Sequence, residues 1–399
     1  MSLLAPAGLW TSRGGDPKRS AFSPARPRVR DMVDVFHFPH PIPDVVHRPT
    51  PQNAIAVRNW LYFVAALVFA MVLVGGATRL TESGLSIVEW KPVTGVIPPL
   101  SAAEWQAAFE DYKKIPQFSQ MFPDMDVDGF KAIYAWEWAH RLLGRLIGLV
   151  FAGGLAWFWL RRRIPPGYKG KLLFILALGG LEGVVGWWMV KSGLSQRIDV
   201  AQERLAIHLL IASLIFSACI WVAGGLGEPR PTHIHSGRGR LRFVSKLILG
   251  LVFLQLGLGA LVAGLRAGRI DNTWPLMEGG FAPSLETLLR LDPWWLNLVN
   301  NEVTVQFMHR TTAYVIFVVV LLHLLDAAAN ASGMAARGAA ILFGHVLGQI
   351  ALGVAALVLV EGLWYWANWP HISLALAHQA IGIAVLAVAT MQARRLHAL

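Results

Sequence analysis

The 399-residue chain is 55% hydrophobic, has a mean hydropathy of +0.49 and carries a formal charge of +11. That balance excludes a soluble globular protein of this size and places the chain in the membrane class. The excess of Lys and Arg gathers beside apolar segments, so it is read as a membrane-topology signal and not as a nucleic-acid footprint.

Residues 1–57 are rich in Pro and Arg and have no apolar stretch of the kind a signal peptide needs. They are expected to form a disordered cytoplasmic arm, within which Met32 is an alternative start. His37, His40 and His47 lie there without the Cys partners or fixed spacing of a metal site. Eight apolar segments follow, at about 59–79, 132–160, 171–191, 203–224, 243–265, 302–325, 338–360 and 371–392. Each is long enough for a helix to cross roughly 30 Å of hydrocarbon. The termini and the even-numbered loops hold most of the basic residues, Arg161, Arg162 and Arg163 among them, which puts both ends in the cytoplasm.

In the first outer loop, Ser101 and Glu104 form a capping box ahead of Trp105 and Phe109. In the third outer loop, Pro283 and Ser284 precede Leu285, Leu288 and Leu289, so each loop carries a short amphipathic helix candidate. Asp124-x-Asp126-x-Asp128-Gly129 begins like a calcium loop, but Ala135 stands where the bidentate Glu belongs, so a solvated acidic turn is expected. Cys219 is the sole cysteine and is expected in the core of the fourth span, which leaves no intrachain disulfide or Cys-based metal site.

The chain repeats itself. An offset of 184 residues superimposes Gly75 on Gly259, Gly84 on Gly268 and Trp90 on Trp274; an offset of 169 places His140 on His309, and one of 167 places Glu182 and Gly186 on Gln349 and Gly353. The first copy has about 15 extra residues near 111–130. The expected fold is an all-α membrane protein whose eight transmembrane helices form two pseudo-symmetric four-helix bundles, related by an axis along the membrane normal. The boundaries expected are 58–225 for the N-terminal bundle, 226–242 for a cytoplasmic linker and 243–395 for the C-terminal bundle.

Four histidines recur within this frame. Glu137-x-x-His140-Arg141 returns as Gln306-x-x-His309-Arg310, and His208 and His378 follow each copy by 68 and 69 residues. An ionisable group inside hydrocarbon costs about 2.5–3.5 kcal/mol unless it has a partner. Four imidazoles at similar depth in a duplicated frame point to two bis-histidine haem sites, one in each half. Gly144, Gly148, Ala313 and Gly382 would let a planar ligand approach, and Arg141 and Arg310 would meet propionates. His323, His345 and His371 are expected to be structural, because the position 14 beyond His378 that a second haem would need is Gln392. The copies differ at one telling position. Glu137 lies one turn before His140, whereas Gln306 cannot ionise, so the first pocket is expected to do proton-coupled chemistry and the second to pass electrons. Glu182 and Gln349 differ in the same way, with a proton relay and a structural pairing both open for Glu182.

Over residues 55–395 the chain resembles the heme A synthase family. The resemblance rests on Gly75-Gly76-Ala77-Thr78-Arg79-Leu80-Thr81 with Ser83-Gly84-Leu85-Ser86, on Glu137-Trp138-Ala139-His140-Arg141 with Gly144-Arg145, on Gly186-Trp187-Trp188-Met189-Val190 with Ser192-Gly193-Leu194, and on Gln306-Phe307-x-His309-Arg310. It implies oxidation of the C8 methyl of heme O to the formyl of heme A, for cytochrome oxidase. It further implies that His140 and His208 bracket the substrate haem, that His309 and His378 ligate a resident heme b, and that Glu137 serves catalysis. The chain lacks the cysteine pair that some bacterial members carry in the first outer loop, and looks like the cysteine-free proteobacterial and mitochondrial type. The implied setting is a bacterial inner membrane, with heme O synthase, oxidase assembly factors and an electron donor or acceptor as partners. A di-haem b-type electron carrier and a haem transporter or chaperone are the competing readings.

Overall fold

The computed structural model describes residues 51–91, 94–227, 232–359 and 369–398. The sequence up to residue 50, with Met32, His37, His40 and His47, lies outside the described residues. In chain order the helices are α1 (Pro51–Leu80), α2 (Ala102–Tyr112), α3 (Pro116–Met121), α4 (Val127–Leu160), α5 (Lys169–Gly193), α6 (Gln202–Gly224), α7 (Arg238–Gly264), α8 (Leu285–Leu288), α9 (Asn297–Asn300), α10 (Glu302–Asn330), α11 (Met334–Val358) and α12 (Trp369–His397). Among the described residues, α1, α4, α5, α6, α7, α10, α11 and α12 are long and apolar enough to cross a membrane, which matches the eight expected segments. Helices suit that setting because every backbone N–H and C=O inside the span finds its partner within the helix.

Three boundaries differ from expectation. Residues 51–57 belong to α1 and not to an arm; Pro51 starts the helix where a missing N–H costs nothing. Residues 238–242 of the expected linker are helical, and its Thr232–Ile234 forms a strand, β1, antiparallel to β2 (Ala331–Gly333). Helix α4 begins at Val127, before the apolar segment, because Asp126 caps it: its Oδ1 accepts from the Gly129 N–H at 2.8 Å. The acidic turn is therefore a helix start, with Asp128 paired to Lys131 at 2.8 Å.

In the first half α1 packs on α4 and α6, and α5 on α4 and α6; in the second, α7 packs on α10 and α12, and α11 on α10 and α12. The halves meet where α6 touches α7 and α12 and where α1 touches α12. Val64 and Val68 of α1, Cys219 and Ile220 of α6, Ile248 of α7 and Leu386 of α12 form the shared core there, and Cys219 is fully buried in it. Helices α5 and α11 stand at the periphery, with only 6% and 11% of their most apolar stretches buried within the protein, and present apolar side chains outward.

The loops between α1 and α4 and between α7 and α10 lie at one end of the bundle. In the first, Ser101 Oγ accepts from the Glu104 N–H at 3.2 Å while Glu104 Oε2 accepts from the Ser101 N–H at 2.9 Å, the expected capping box. It sets α2 so that Trp105, Phe109 and Tyr112 pack on Phe130 and Tyr134 of α4. The extra residues of the first copy contribute Phe118 and Phe130 to this cluster. In the second, Ser284 caps α8 through the Thr287 N–H at 3.1 Å, and the buried Asn301 caps α10 through the amides of Val303 and Thr304. Replacing Ser101 with Ala is expected to lower stability by about 1 kcal/mol, read as a lower unfolding temperature of the detergent-solubilised protein.

Candidate functional site

Each of the four histidines sits where a glycine on a neighbouring helix makes room for its ring. A Cβ at Gly75 of α1 would stand 3.0 Å from His140 Nε2, and one at Gly259 of α7 would stand 3.2 Å from His309 Cε1. In the same way Gly186 of α5 faces His208 at 3.1 Å and Gly353 of α11 faces His378 at 2.8 Å. A side chain at Gly353 would displace the His378 ring, and one at the other three positions would press the facing ring by a few tenths of an ångström. The expected small residues have other neighbours: Gly144 meets Met71, Gly382 meets Gln349, and nothing lies within 4 Å of Gly148.

His140 lies near His208 and His309 near His378, the pairs expected. All four are half-buried. Three have a polar side chain against the ring. Glu182 Oε1 lies 3.0 Å from His208 Nδ1, Gln349 Nε2 lies 3.2 Å from a ring nitrogen of His378, and Gln255 Nε2 lies 3.2 Å from His309 Nδ1 while donating to the His309 carbonyl at 3.1 Å. Glu182 and Gln349 are repeat equivalents, so both halves hold the second histidine of the pair from the same helix position. Glu182 thus lies against His208, a contact that fits either of the two roles foreseen for it. The repeat equivalent of Gln255 is Met71, and among the described residues the His140 ring has no such hydrogen bond.

Arg141 and Arg310 turn toward the loops. Arg141 Nη2 donates to the Ile87 carbonyl at 2.8 Å and its Nη1 to Glu89 at 3.2 Å; Arg310 Nη2 donates to Asp271 at 2.7 Å and its Nη1 to Thr273 at 2.9 Å. Asp271 and Thr273 are the 184-residue equivalents of Ile87 and Glu89, so each arginine fastens the same stretch of loop over its own histidine. Glu137, buried, joins the clamp: Oε2 accepts from Ser86 Oγ at 2.8 Å and the Ile87 N–H at 2.7 Å, and Oε1 accepts from Arg141 Nη2 at 2.6 Å. Gln306 holds the equivalent point by donating to the Asp271 carbonyl at 2.9 Å. The carboxylate receives from the loop and the amide gives to it.

His323, His345 and His371 belong to neither pair. His323 is buried with Gln392 at 3.4 Å, and His345 and His371 bond to the carbonyls of Ile341 and Leu359, each at 2.8 Å. Sequence reasoning missed Gln255 as a histidine partner and missed the ring-facing role of Gly75, Gly259, Gly186 and Gly353. The signal for the glycines was present, since all four are retained between the copies.

Paired imidazoles in an apolar frame, each lying against a glycine of a neighbouring helix, are the donor set that a bis-histidine haem would use. The residues present fit such a group in both halves: His140 and His208 in the first, His309 and His378 in the second. Fold and site together define a multi-pass helical membrane protein with two intramembrane histidine pairs. The chain belongs to the cytochrome oxidase assembly protein family, whose model matches residues 58–390. It is 55% identical over 342 residues to a protein of Beijerinckia indica named heme A synthase, covering 85% of this chain and 92% of that one. Proteins of the same name from Bradyrhizobium diazoefficiens and Rhodopseudomonas palustris HaA2 are 52% and 50% identical, over 86% and 88% of this chain and 91% and 93% of theirs.

Replacing Gly353 with Ala is expected to push the His378 ring aside and reduce the haem retained at the second pair while sparing the first, as read from the low-spin ferric signals of the purified protein.

Proposed function

We propose that the protein is a heme A synthase, converting the C8 methyl of heme O to a formyl group. The observation that carries this reading is the matched pair of histidine sites, glycine-backed in the same way, in a chain about half identical to proteins of that name. In this reading the two halves act as two four-helix bundles. His140 and His208 bracket heme O as substrate, and His309 and His378 hold a resident heme b.

Taking a methyl to a formyl with water as the oxygen source releases four electrons and four protons, through an alcohol and a hydrated aldehyde. Heme b, when bound, supplies one-electron transfer. The work of the protein's own side chains is to orient and to manage protons. Glu182 fixes the ring plane of His208, while Gly75 and Gly186 let both imidazoles approach. Glu137, one turn before His140 and held by Ser86, Ile87 and Arg141, is assigned the uptake of a proton leaving the substrate, the role its carboxylate supports and Gln306 could not fill. Arg141 and Arg310 position the loops over the pockets. Both termini face the cytoplasm of a bacterial inner membrane, and heme O synthase, assembly factors of the oxidase and an electron partner are the implied associates.

The test is extraction and mass analysis of haem from the protein produced with heme O. His140→Ala is expected to lose heme O and heme A but keep heme b; His309→Ala is expected to lose heme b. Protohaem alone in the unsubstituted protein would support an electron carrier instead. Glu137→Gln separates charge from clamping, since an amide already clamps the loop at residue 306. It is expected to retain haem but to lower heme A formation by about 100-fold or more, the range of a lost acid–base group. An unchanged yield would remove Glu137 from proton transfer.

A further inference from the structure

A cluster of four charges joins the two halves at the loop end. Glu82 and Arg266 are repeat equivalents, 184 residues apart, on the turns that follow α1 and α7. Both have left-handed backbone, φ 55° in each case, a conformation disfavoured for residues with a Cβ. They carry opposite charge and meet, Arg266 Nη2 to Glu82 Oε1 at 3.1 Å. Asp199, from the α5–α6 loop, takes two bonds from Arg266, each of 3.1 Å. Arg79 binds Glu82 at 2.8 Å and Asp199 at 3.3 Å, and its Nη2 reaches the carbonyl of Ala263, its own repeat equivalent, at 3.3 Å. Two cations and two anions thus satisfy one another where the two copies touch. The site is sheltered enough that burial raises the Glu82 carboxyl above its usual range, against the pull of Arg79.

From this cluster a fastened strand of loop runs to each histidine helix. Five residues beyond Glu82, Ile87 is bonded by both Glu137 and Arg141; five beyond Arg266, Asp271 is bonded by both Gln306 and Arg310. Two five-residue stretches of loop, each tied at one end to the charge cluster and at the other to a histidine helix, therefore join the turn that carries His140 to the turn that carries His309. We propose that Glu82, Arg266, Arg79 and Asp199 are positioning residues that couple the two histidine pairs, so that displacing the loop over one changes how the other holds its haem. This rests on the haem reading given above.

The experiment uses the full-length, haem-loaded protein. In a His309→Ala background, where the remaining signal belongs to His140 and His208, Arg266→Gln is introduced in the opposite half. In a His140→Ala background, Glu82→Gln is introduced. The protein is loaded with heme O for the His140 and His208 pair and with protohaem for the His309 and His378 pair, and the readouts are the low-spin ferric g values and the rate at which the remaining haem is lost to apomyoglobin. Coupling predicts a shifted g value and a loss on the order of tenfold faster at the pair in the opposite half, with Arg266→Lys restoring both readouts. The inference is overturned if each substitution lowers thermal stability, or perturbs only its own half, while the opposite pair keeps its g values and loss rate. If Arg266→Gln does not insert, the Glu82→Gln arm decides alone. Absence of haem from the unsubstituted protein would instead refute the haem reading, and with it this inference.

Discussion

A basic ring nitrogen inside hydrocarbon has no water to turn to, and the rest of the site answers that constraint. Four helices each bring one imidazole into the bundle, and four others each supply the glycine against which it lies. Carboxylate or amide side chains of α5, α7 and α11 then offer the polar contact that solvent would have given. All of these side chains stand on helices long enough to cross a bilayer, packed around a shared apolar core.

Much of this was legible in sequence because periodicity in membrane helices is coarse and duplication makes it redundant. Apolar length located all eight spans, the repeated Glu/Gln-x-x-His-Arg motif singled out His140 and His309, and a matching spacing after each copy singled out His208 and His378. Helix ends were less legible: the start of α4 depends on a side-chain cap at Asp126, and α1 starts at a proline that polar composition had assigned to an arm. The direction of Arg141 and Arg310 was illegible for a different reason. A guanidinium beside a histidine can serve an anion or a backbone carbonyl, and only the path of the loop decides between them. Gln255 escaped notice because its repeat partner is Met71, so the copy that usually flags a functional position was silent there.

The contrast between Glu137 and Gln306 also takes on a sharper meaning. On sequence alone it is a difference in charge. In the fold it is a reversal of hydrogen-bond direction at a fastening point shared by the two copies, where one side chain accepts from a loop amide and the other donates to the carbonyl of the equivalent residue. The loop keeps its place in both halves, and the charge is free to differ.

That reversal bears on how a duplicated gene diverges. Codons for glutamate and glutamine differ by a single base, so one substitution in one copy changes the ionic character of a pocket without disturbing the scaffold over it. Specialisation of twin sites then requires no intermediate with a broken fold, and selection acts on chemistry alone.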